Sequence, residues 1–473
     1  MDLHISLDGR KDLSGEIYRQ VRRAIVNGRL RTGSLLPPSR HLAERLNVAR
    51  MTVTVAYDRL AAEGYVVSRV GASTFVSEDA ARRLPVDTKA LAGLQPRAIW
   101  NAIALPTVFD RPARYDFRSG LPDASLFPHR TWRRLLARSM RAPEVAGGVY
   151  QDPAGLRRLR AAIANHVAIA RGVNASPDDV IVTNGTQQAL DLIARVLLAP
   201  GDAIAVEDPG YQPSCRLFAS LGIRVIGVPV DAQGLVVDAL PRRARAIYVT
   251  PSHQFPLGVS MSLQRRQALL AWAERNAAGI IEDDYDSEFR FGGRPLEALQ
   301  TLDVAGRVIY VGSFSKTLLP TLRVGFIIAP QSLRLALQRA KFVSDWHTSG
   351  LVQAALAELI ETGAYARHIR RVNSRYRERH ALITKILSRD FARDLELVPS
   401  STGLHVTALG RRMSTRQVIA VQSRAADLDV AVRVLSSLSV DRPSRVGLVL
   451  GYGAIDATNI GEGLRRLRQC FPT

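Results

Sequence analysis

Short apolar runs alternate with longer amphipathic stretches through most of this 473-residue chain. The runs have the length and the Val and Ile content of buried strands, and helical stretches such as TQQALDLIARVLLAP and SLQRRQALLAWAERNA lie between several of them. The strand candidates are 179–185, 203–209, 224–230, 246–252, 279–286, 307–315 and 324–330. This alternation predicts an α/β domain built on a mainly parallel sheet.

Size and charge add two constraints. A chain of this length is too long for a single core, so two or three domains are expected. The formal net charge of +21 favours a polyanionic partner, most often nucleic acid. Two cysteines, Cys215 and Cys470, are too few for a disulfide framework or a Cys-rich zinc site. No apolar run is long enough to cross a bilayer and no secretory signal is visible, so we expect a cytoplasmic protein with no membrane contact and no metal.

The first eighty residues follow a different pattern. Helical spacing predicts helices over 13–28 and 39–47 and a third helix within 48–65, and two short alternating runs around Gly71 predict a β-hairpin. Three helices followed by a hairpin form the winged helix-turn-helix plan, an α+β domain over residues 1–78. A small helical bundle with a hairpin and no DNA role is the alternative.

The polar side of the third helix favours DNA binding. Arg50, Thr52 and Thr54 lie at its N-terminal end, where a recognition helix presents side chains to base edges. Arg40 at the start of the second helix and Arg69 beside the hairpin turn could contact phosphates. These side chains predict a DNA-binding face.

The segment LPPSRHLAERLNVARMTVTVAYDRLAAEGYV carries a family pattern. It closely resembles the GntR-type winged-helix domain, over roughly residues 12–78. The resemblance implies that Arg40, Arg50, Thr52 and Gly71 occupy DNA-contacting positions, and that the partner is double-stranded operator DNA.

Residues 79–115 contain four prolines and no sustained periodicity. They predict a linker, with a short helical piece near 97–104, because connections of this length are rare inside compact domains. The large α/β domain is expected to span 116–473.

Polar residues follow the predicted strands, where ligands bind in open α/β sheets. Gly185, Thr186 and Gln187 open a helix after the first strand and offer N–H groups to a phosphate. Asp283 and Tyr285 close another strand and would project to the same side. Taken singly, the first group is an ordinary strand-to-helix turn and the second an acidic surface turn. Neither a dinucleotide fingerprint nor a P-loop is present.

The segment SFSK supplies Ser313, Ser315 and Lys316 at a further strand end, and Arg323 follows seven residues later. Only five of the 64 basic residues are lysines, so a retained primary amine hints at Schiff-base chemistry. Tyr211, in DPGYQP, could stack on a flat cofactor or belong to the core. Phosphate donors, a carboxylate, a phenol, an aromatic ring and a lysine are together what pyridoxal phosphate requires.

The order of these motifs resembles fold-type I, pyridoxal-phosphate-dependent aminotransferases, and with the N-terminal domain the chain resembles the MocR subfamily of GntR-type regulators. The resemblance implies a Schiff base at Lys316, pairing of Asp283 with the pyridine nitrogen, a hydrogen bond from Tyr285 to the phenolic oxygen and stacking by Tyr211. It also implies a phosphate site formed by Gly185, Thr186, Gln187, Ser313, Ser315 and Arg323.

Further residues follow from the same resemblance. Tyr150 matches a tyrosine that reaches the site across the interface of a head-to-tail homodimer, and His253 lies where true aminotransferases have an asparagine. Aminotransferases hold a substrate carboxylate with an arginine near the C-terminus. Here that region reads RVGLVLGYGAID, with Val449, Leu450 and Gly451 at the expected place and Arg445 nearby.

The resemblance implies a transcriptional regulator that senses pyridoxal phosphate, or its adduct with an amino compound, and passes the signal to the winged helix. A working class I/II aminotransferase that also carries a DNA-binding module is the alternative. The sequence leaves open which of the two ligands is sensed.

Overall fold

The computed structural model describes residues 5–7, 12–69, 73–77, 94–103, 105, 113–292, 297–440 and 445–472. The chain divides into two compact units, Met1–Arg97 and Ala98–Thr473. The division falls inside the predicted linker, most of which lies outside the described residues. The limits 1–78, 79–115 and 116–473 therefore stay predictions, whereas the expected short helix is present as Ala98–Ala102.

The N-terminal unit has the winged helix-turn-helix fold. Its elements are α1 (Leu13–Val26), α2 (Ser39–Leu46), α3 (Arg50–Ala62), β1 (Val66–Arg69) and β2 (Ser73–Val76). Asn47 ends α2 in the left-handed conformation, with φ 51°, which turns the chain sharply into α3. The apolar faces of the three helices pack with the first and last residues of the antiparallel hairpin in one core. The predicted fold of this unit is confirmed.

The helices of the second unit surround two sheets. They are α4 (Ala98–Ala102), α5 (His129–Ser139), α6 (Pro143–Ala146), α7 (Arg157–Arg171), α8 (Thr186–Leu197), α9 (Gln212–Ser220), α10 (Leu263–Arg275), α11 (Gln331–Asp345), α12 (Gly350–Glu361), α13 (Ala364–Asp390), α14 (Thr415–Asp427) and α15 (Ala457–Gln469). None of the helices in the parts of the chain that the structure describes is both long and apolar enough to cross a membrane.

The larger sheet has eight strands in the order β4-β11-β10-β9-β8-β5-β6-β7. These are β4 (Val180–Thr183), β5 (Ala203–Asp208), β6 (Arg224–Asp231), β7 (Gly234–Leu235), β8 (Ala244–Val249), β9 (Gly279–Asp284), β10 (Val308–Ser313) and β11 (Gly325–Ile328). The central strands from β10 to β6 run parallel, while β11 and β7 are antiparallel to their neighbours. All seven predicted strands are present.

A smaller sheet lies towards the C-terminus. It has the order β12-β13-β16-β15, and β14 pairs with β3 beside it. The strands are β3 (Tyr115–Asp116), β12 (Leu395–Leu397), β13 (His405–Gly410), β14 (Val430–Ala431), β15 (Arg433–Val434) and β16 (Gly447–Gly451). Helices α13 and α15 pack on this sheet in a core of their own. The unit therefore has a large and a small lobe, as the predicted α/β aminotransferase-like fold requires.

Candidate functional site

Lys316 lies just beyond the end of β10, at the carboxyl edge of the parallel sheet. Its Nζ donates a hydrogen bond to the carbonyl oxygen of Gly120 at 2.7 Å. Burial lowers the pKa of Lys316, with the nearby Asp286 and Asp283 acting in the opposite direction. A lowered pKa leaves more of the amine neutral, and the neutral amine is the nucleophilic form.

Asp283 occupies the corresponding edge of the adjacent strand β9. Its Oδ2 accepts a hydrogen bond from the hydroxyl of Tyr248 at 2.7 Å, whereas its buried Oδ1 has no partner among the described residues. Burial raises the pKa of Asp283 to about 7. A buried carboxylate oxygen without a donor is costly, so this atom is suited to a ligand that brings an N–H group.

Tyr285, His253 and Asp286 form a hydrogen-bonded group beside Asp283. The two carboxylate oxygens of Asp286 lie 3.1 and 3.0 Å from Nδ1 of His253, and the Tyr285 hydroxyl lies 3.0 Å from the same nitrogen. Because an ionised carboxylate can only accept, Nδ1 carries the hydrogen. The Tyr285 oxygen then accepts from that N–H group, which leaves its own O–H free to donate to a ligand.

His253, Asp286 and His405 also place their ligand atoms within 4.8 Å of one another. Both His253 nitrogens already have partners, Nδ1 as above and Nε2 with Ser400 Oγ at 3.3 Å. Nε2 of His405 lies 2.9 Å from the Pro256 carbonyl oxygen. A metal ion would have to replace the His253–Asp286 bonds, and the absence of a metal site stays a prediction.

The strand-to-helix turn at Gly185 meets the segment around Arg323. Gly185 has φ 81° and is the N-cap of α8, and Nη2 of Arg323 donates to the Asn184 carbonyl oxygen at 2.7 Å. A Cβ at Gly185 would lie 2.9 Å from Nη2 of Arg323, so the close approach requires glycine. The Ser315 N–H donates to Ser313 Oγ at 3.1 Å. The fold thus brings together two predicted phosphate-binding segments that are far apart in sequence.

Three further residues predicted for the cofactor site lie on helices next to this turn. Thr186 is the first residue of α8, and Tyr211 is the N-cap of α9. Gln187 donates to the Pro213 carbonyl oxygen at 3.2 Å, while its buried Oε1 has no partner among the described residues. Burial raises the pKa of Tyr211 to about 12, so its phenol stays neutral. The helix starts of α8 and α9 are therefore adjacent.

Two elements of the predicted site lie elsewhere. Tyr150 is 74% exposed and its ring lies 4.2 Å from that of Trp346, so its contribution to a partner's site stays a prediction. Val449 and Leu450 are fully buried in β16. That strand therefore supplies no cationic side chain, and Arg445 lies two residues before it begins.

The DNA-binding face predicted for the N-terminal unit lies at the start of α3. Arg50 is exposed, and Thr54 Oγ1 donates to the Arg50 carbonyl oxygen at 3.1 Å. Thr52 is half-buried, and Arg40 is exposed at the start of α2. Only the backbone of Arg69 is described, and Gly71 lies outside the described residues.

Several residues next to the two predicted sites had no role in the sequence analysis. Met51 and Val55 are 69% and 48% exposed on α3 beside Arg50, although the pattern gave them no role. Gly120, Tyr248 and Asp286 contact the predicted cofactor residues. Only Asp286 had a signal, because it directly follows Tyr285 in the motif EDDYD.

Two families match this chain. Residues 13–76 match the bacterial regulatory proteins of the gntR family, and residues 126–449 match aminotransferase class I and II. Among curated proteins, the probable rhizopine catabolism regulatory protein MocR of Rhizobium meliloti is 38% identical over 99% of this chain and 96% of its own length. The pyridoxine biosynthesis regulator PdxR of Corynebacterium glutamicum is 33% identical over 96% and 95%.

Solved aminotransferase structures match about three quarters of this chain. An archaeal alanine:glyoxylate aminotransferase is 26% identical, covers 76% of this chain and 90% of its own, and has a TM-score of 0.71. The α-aminoadipate aminotransferase LysN of Thermus thermophilus, solved with a phosphopyridoxyl-leucine adduct, is 31% identical over 75% and 91%, with a TM-score of 0.68.

The fold and these matches define a class of protein in which a winged-helix DNA-binding domain is joined to an aminotransferase-like domain. Within that class, the chain belongs to the MocR subfamily of GntR-type regulators.

Proposed function

We propose that this protein is a cytoplasmic transcriptional regulator that binds operator DNA through α3 and holds pyridoxal phosphate, or its adduct with an amino compound, in the large unit. The exposed start of α3 supports the first part, since Arg50, Thr52 and Thr54 are available to base edges and Arg40 to a phosphate. The surplus of positive charge over the chain supports association with a polyanion.

The observation that carries the cofactor proposal is the unpaired Oδ1 of Asp283 beside a buried, readily neutralised amine. Pyridoxal phosphate supplies an aldehyde for an amine and a pyridine ring that withdraws electrons when its nitrogen is protonated. Asp283 Oδ1 would accept from that ring nitrogen, Nζ of Lys316 would bond to the aldehyde carbon, and the free O–H of Tyr285 would donate to the phenolic oxygen. His253 would orient Tyr285.

The phosphate would lie at the start of α8. Gly185, Thr186 and Gln187 offer backbone N–H groups at a helix N-terminus, and Arg323 adds a guanidinium fixed to the Asn184 carbonyl. The hydroxyls of Ser313 and Ser315 would complete the donors, and Tyr211 would cover the ring. The proposal thus assigns a role at this edge of the sheet to each predicted cofactor residue except Tyr150.

A head-to-tail homodimer is part of the proposal. Tyr150 belongs to a group of exposed apolar residues. Its ring packs against that of Trp346, and the ring centroids of Trp346 and Phe342 are 5.0 Å apart. Trp346 and Phe342 are 45% and 44% exposed, and the adjacent Val343 is 79% exposed. Large apolar side chains grouped on a surface indicate an interface. A two-fold dimer would match paired half-sites on DNA.

A working aminotransferase is the second candidate, because the same cofactor residues serve catalysis and sensing alike. Buried apolar side chains in β16, where the resemblance places a carboxylate-binding arginine, favour the regulator. The lack of an arginine in β16 also bears on the effector. It favours pyridoxal phosphate itself, or an amino compound that other groups hold, as the ligand that is sensed.

The test is to add pyridoxal phosphate to the full-length protein and follow its visible absorption together with the affinity for an operator fragment. A regulator shows covalent uptake of the cofactor and an operator affinity that depends on it, with no sustained turnover of amino donors. Many turnovers per chain would establish the aminotransferase. No uptake of cofactor would overturn the sensing proposal.

A further inference from the structure

A cavity separate from the Lys316 site lies in the large unit, between α5, the end of α12 and the first turns of α13. Its volume is about 350 Å³, which is at the lower end of the range for small-molecule sites. The ionisable side chains that line it are Arg134, Arg138, Glu358, Arg367, His368 and Arg371. Neither the cofactor proposal nor the DNA-binding proposal uses any of them.

Positive charge dominates this cavity. Four guanidinium groups face a single carboxylate, Glu358, which accepts from Arg138 at 2.8 Å. Among the described residues, Arg367 and Arg371 donate to backbone carbonyls, those of Thr362 at 3.3 Å and Leu126 at 2.6 Å, and to no carboxylate. Guanidinium groups without a carboxylate partner in a concave site attract and bind anions.

The start of α13 adds to this attraction. Ala364, its first residue, lines the cavity, and no side chain caps the helix. The first backbone bond within the helix comes from the N–H of Arg367, which donates to the Gly363 carbonyl. The preceding N–H groups and the positive end of the dipole of this 27-residue helix therefore favour an anion here.

His368 gives the cavity a more specific requirement. The residue is buried, with 6% exposure, and its Nε2 lies 2.8 Å from the Thr317 carbonyl oxygen, so Nε2 carries the hydrogen. Burial lowers the pKa of His368, which favours the neutral ring; the bond to the Thr317 carbonyl acts in the opposite direction, and Arg371 adds to the lowering. Its buried Nδ1 is then an acceptor, and it has no partner among the described residues. A complementary ligand must bring a donor as well as a negative charge.

We propose that this cavity is a second ligand site, which binds a small anion that carries its own hydrogen-bond donor, such as hydrogen phosphate or a hydroxy or amino carboxylate. The arginines and the helix start hold the negative charge, and Nδ1 of His368 accepts the donor. A polyanion such as DNA fits less well, because Glu358 lies in the cavity and the acceptor is buried.

The same contacts connect the cavity with the cofactor site. His368 donates to the carbonyl of Thr317, and the hydroxyl of Tyr365, also near the start of α13, donates to Thr317 Oγ1 at 3.0 Å. Thr317 directly follows Lys316, so a ligand that shifts the first turn of α13 also shifts Lys316. Only this coupling rests on the proposed function; the anion site itself does not.

Orthophosphate and sulfate are the probes that test the site, in calorimetric titrations of the full-length protein saturated with pyridoxal phosphate. They have similar size and charge, but sulfate has no proton to donate near neutral pH. We expect orthophosphate to bind at least several-fold more tightly. His368→Phe keeps a planar ring and removes the acceptor, so it should abolish this preference.

Charge variants complete the test. The double variant Arg367→Gln, Arg371→Gln should weaken orthophosphate binding at least tenfold, whereas Arg370→Gln, an exposed neighbour on α13 outside the cavity, should change it less than twofold. If Arg370→Gln weakened orthophosphate binding as much as the double variant does, the proposed site would be wrong. It would also be wrong if the double variant lost affinity for duplex DNA and kept its affinity for orthophosphate. Arg323→Gln changes the proposed cofactor site and should leave orthophosphate binding in the cavity intact. A failure of the cofactor proposal can therefore be told apart from a failure of the anion site. Thermal melts confirm that each variant is folded.

Discussion

The two functional regions of this chain use polar side chains in opposite environments. On α3, the side chain of Arg50 is exposed, and its Nε lies 3.5 Å from Ser39 Oγ, a long contact. At the edge of the large sheet, Asp283 is buried and one of its oxygens has no partner among the described residues. An exposed side chain is already solvated and tolerates change, whereas a buried unpaired one has a free-energy cost that a ligand can remove. The cofactor region should therefore respond more strongly to small substitutions.

The largest effect is expected for Lys316→Ala. Removal of the amine leaves no group that can bond to the cofactor aldehyde, so the absorption of covalently bound cofactor should disappear completely. Dialysis followed by a visible spectrum measures this. Lys385→Ala, at an exposed position of α13, is the matched control. A bound chromophore that survives in Lys316→Ala would mean that the covalent site lies elsewhere.

Asp283→Asn should change both the affinity for the cofactor and the stability of the cofactor-free protein. Loss of the charge that faces the ring nitrogen should weaken cofactor binding by about 1.5–3 kcal/mol, measured by equilibrium titration. The pKa of Asp283 is raised to about 7 from 3.8, so its ionisation destabilises the cofactor-free protein increasingly as pH rises through this interval. The variant should accordingly melt at a higher temperature than the native protein at pH 8, and not at pH 4. A lower melting temperature at pH 8 would contradict the assignment.

Arg50→Ala should weaken operator binding by about 1–3 kcal/mol and relax the sequence preference at one base pair. Electrophoretic mobility shifts with operator and scrambled duplexes measure both changes. Arg59→Ala, at the other end of α3, where Arg59 pairs with Glu63 at 3.3 Å, is the control for a loss of charge on the same helix. If the two variants lost affinity equally, the start of α3 would have no special role.

The smallest effect is expected for Arg40→Ala. A single phosphate contact contributes affinity without sequence information, so binding to all duplexes should weaken similarly, by less than about tenfold. The slope of log affinity against log salt should fall by about one. A change in sequence preference would show instead that Arg40 reads a base.

The sequence was most informative where a short pattern determines local structure. The alternation of apolar runs predicted seven of the eight strands of the large sheet, all but the two-residue β7. The motifs at the strand ends predicted that Lys316, Asp283 and Gly185 lie at one edge of the sheet. The scarcity of lysine was less specific. Lys341 is another of the five lysines and is fully buried, but its Nζ pairs with Asp345 at 2.5 Å, which is a structural role.

The remaining residues could not be predicted because tertiary contacts place them. Gly120 reaches Lys316 across 196 positions, and Tyr248 reaches Asp283 from a neighbouring strand. The sequence around Gly120 and the sequence around Tyr248 contain no motif that indicates a ligand site. The exposure of Met51 and Val55 also depends on which face of α3 packs against α1 and α2, and a short helix leaves that boundary poorly defined.

The hydrogen bond between Lys316 and Gly120 has a consequence for how a signal could begin. A neutral amine that condenses with an aldehyde would give up its two hydrogens, which leave with the aldehyde oxygen as water, so the Gly120 carbonyl would share or lose its donor. Gly120 follows β3 by only a few residues, in the stretch through which the chain enters the large unit from the N-terminal one. If Lys316 binds the cofactor covalently, the segment that follows β3 would therefore lose a hydrogen bond that holds it beside the end of β10.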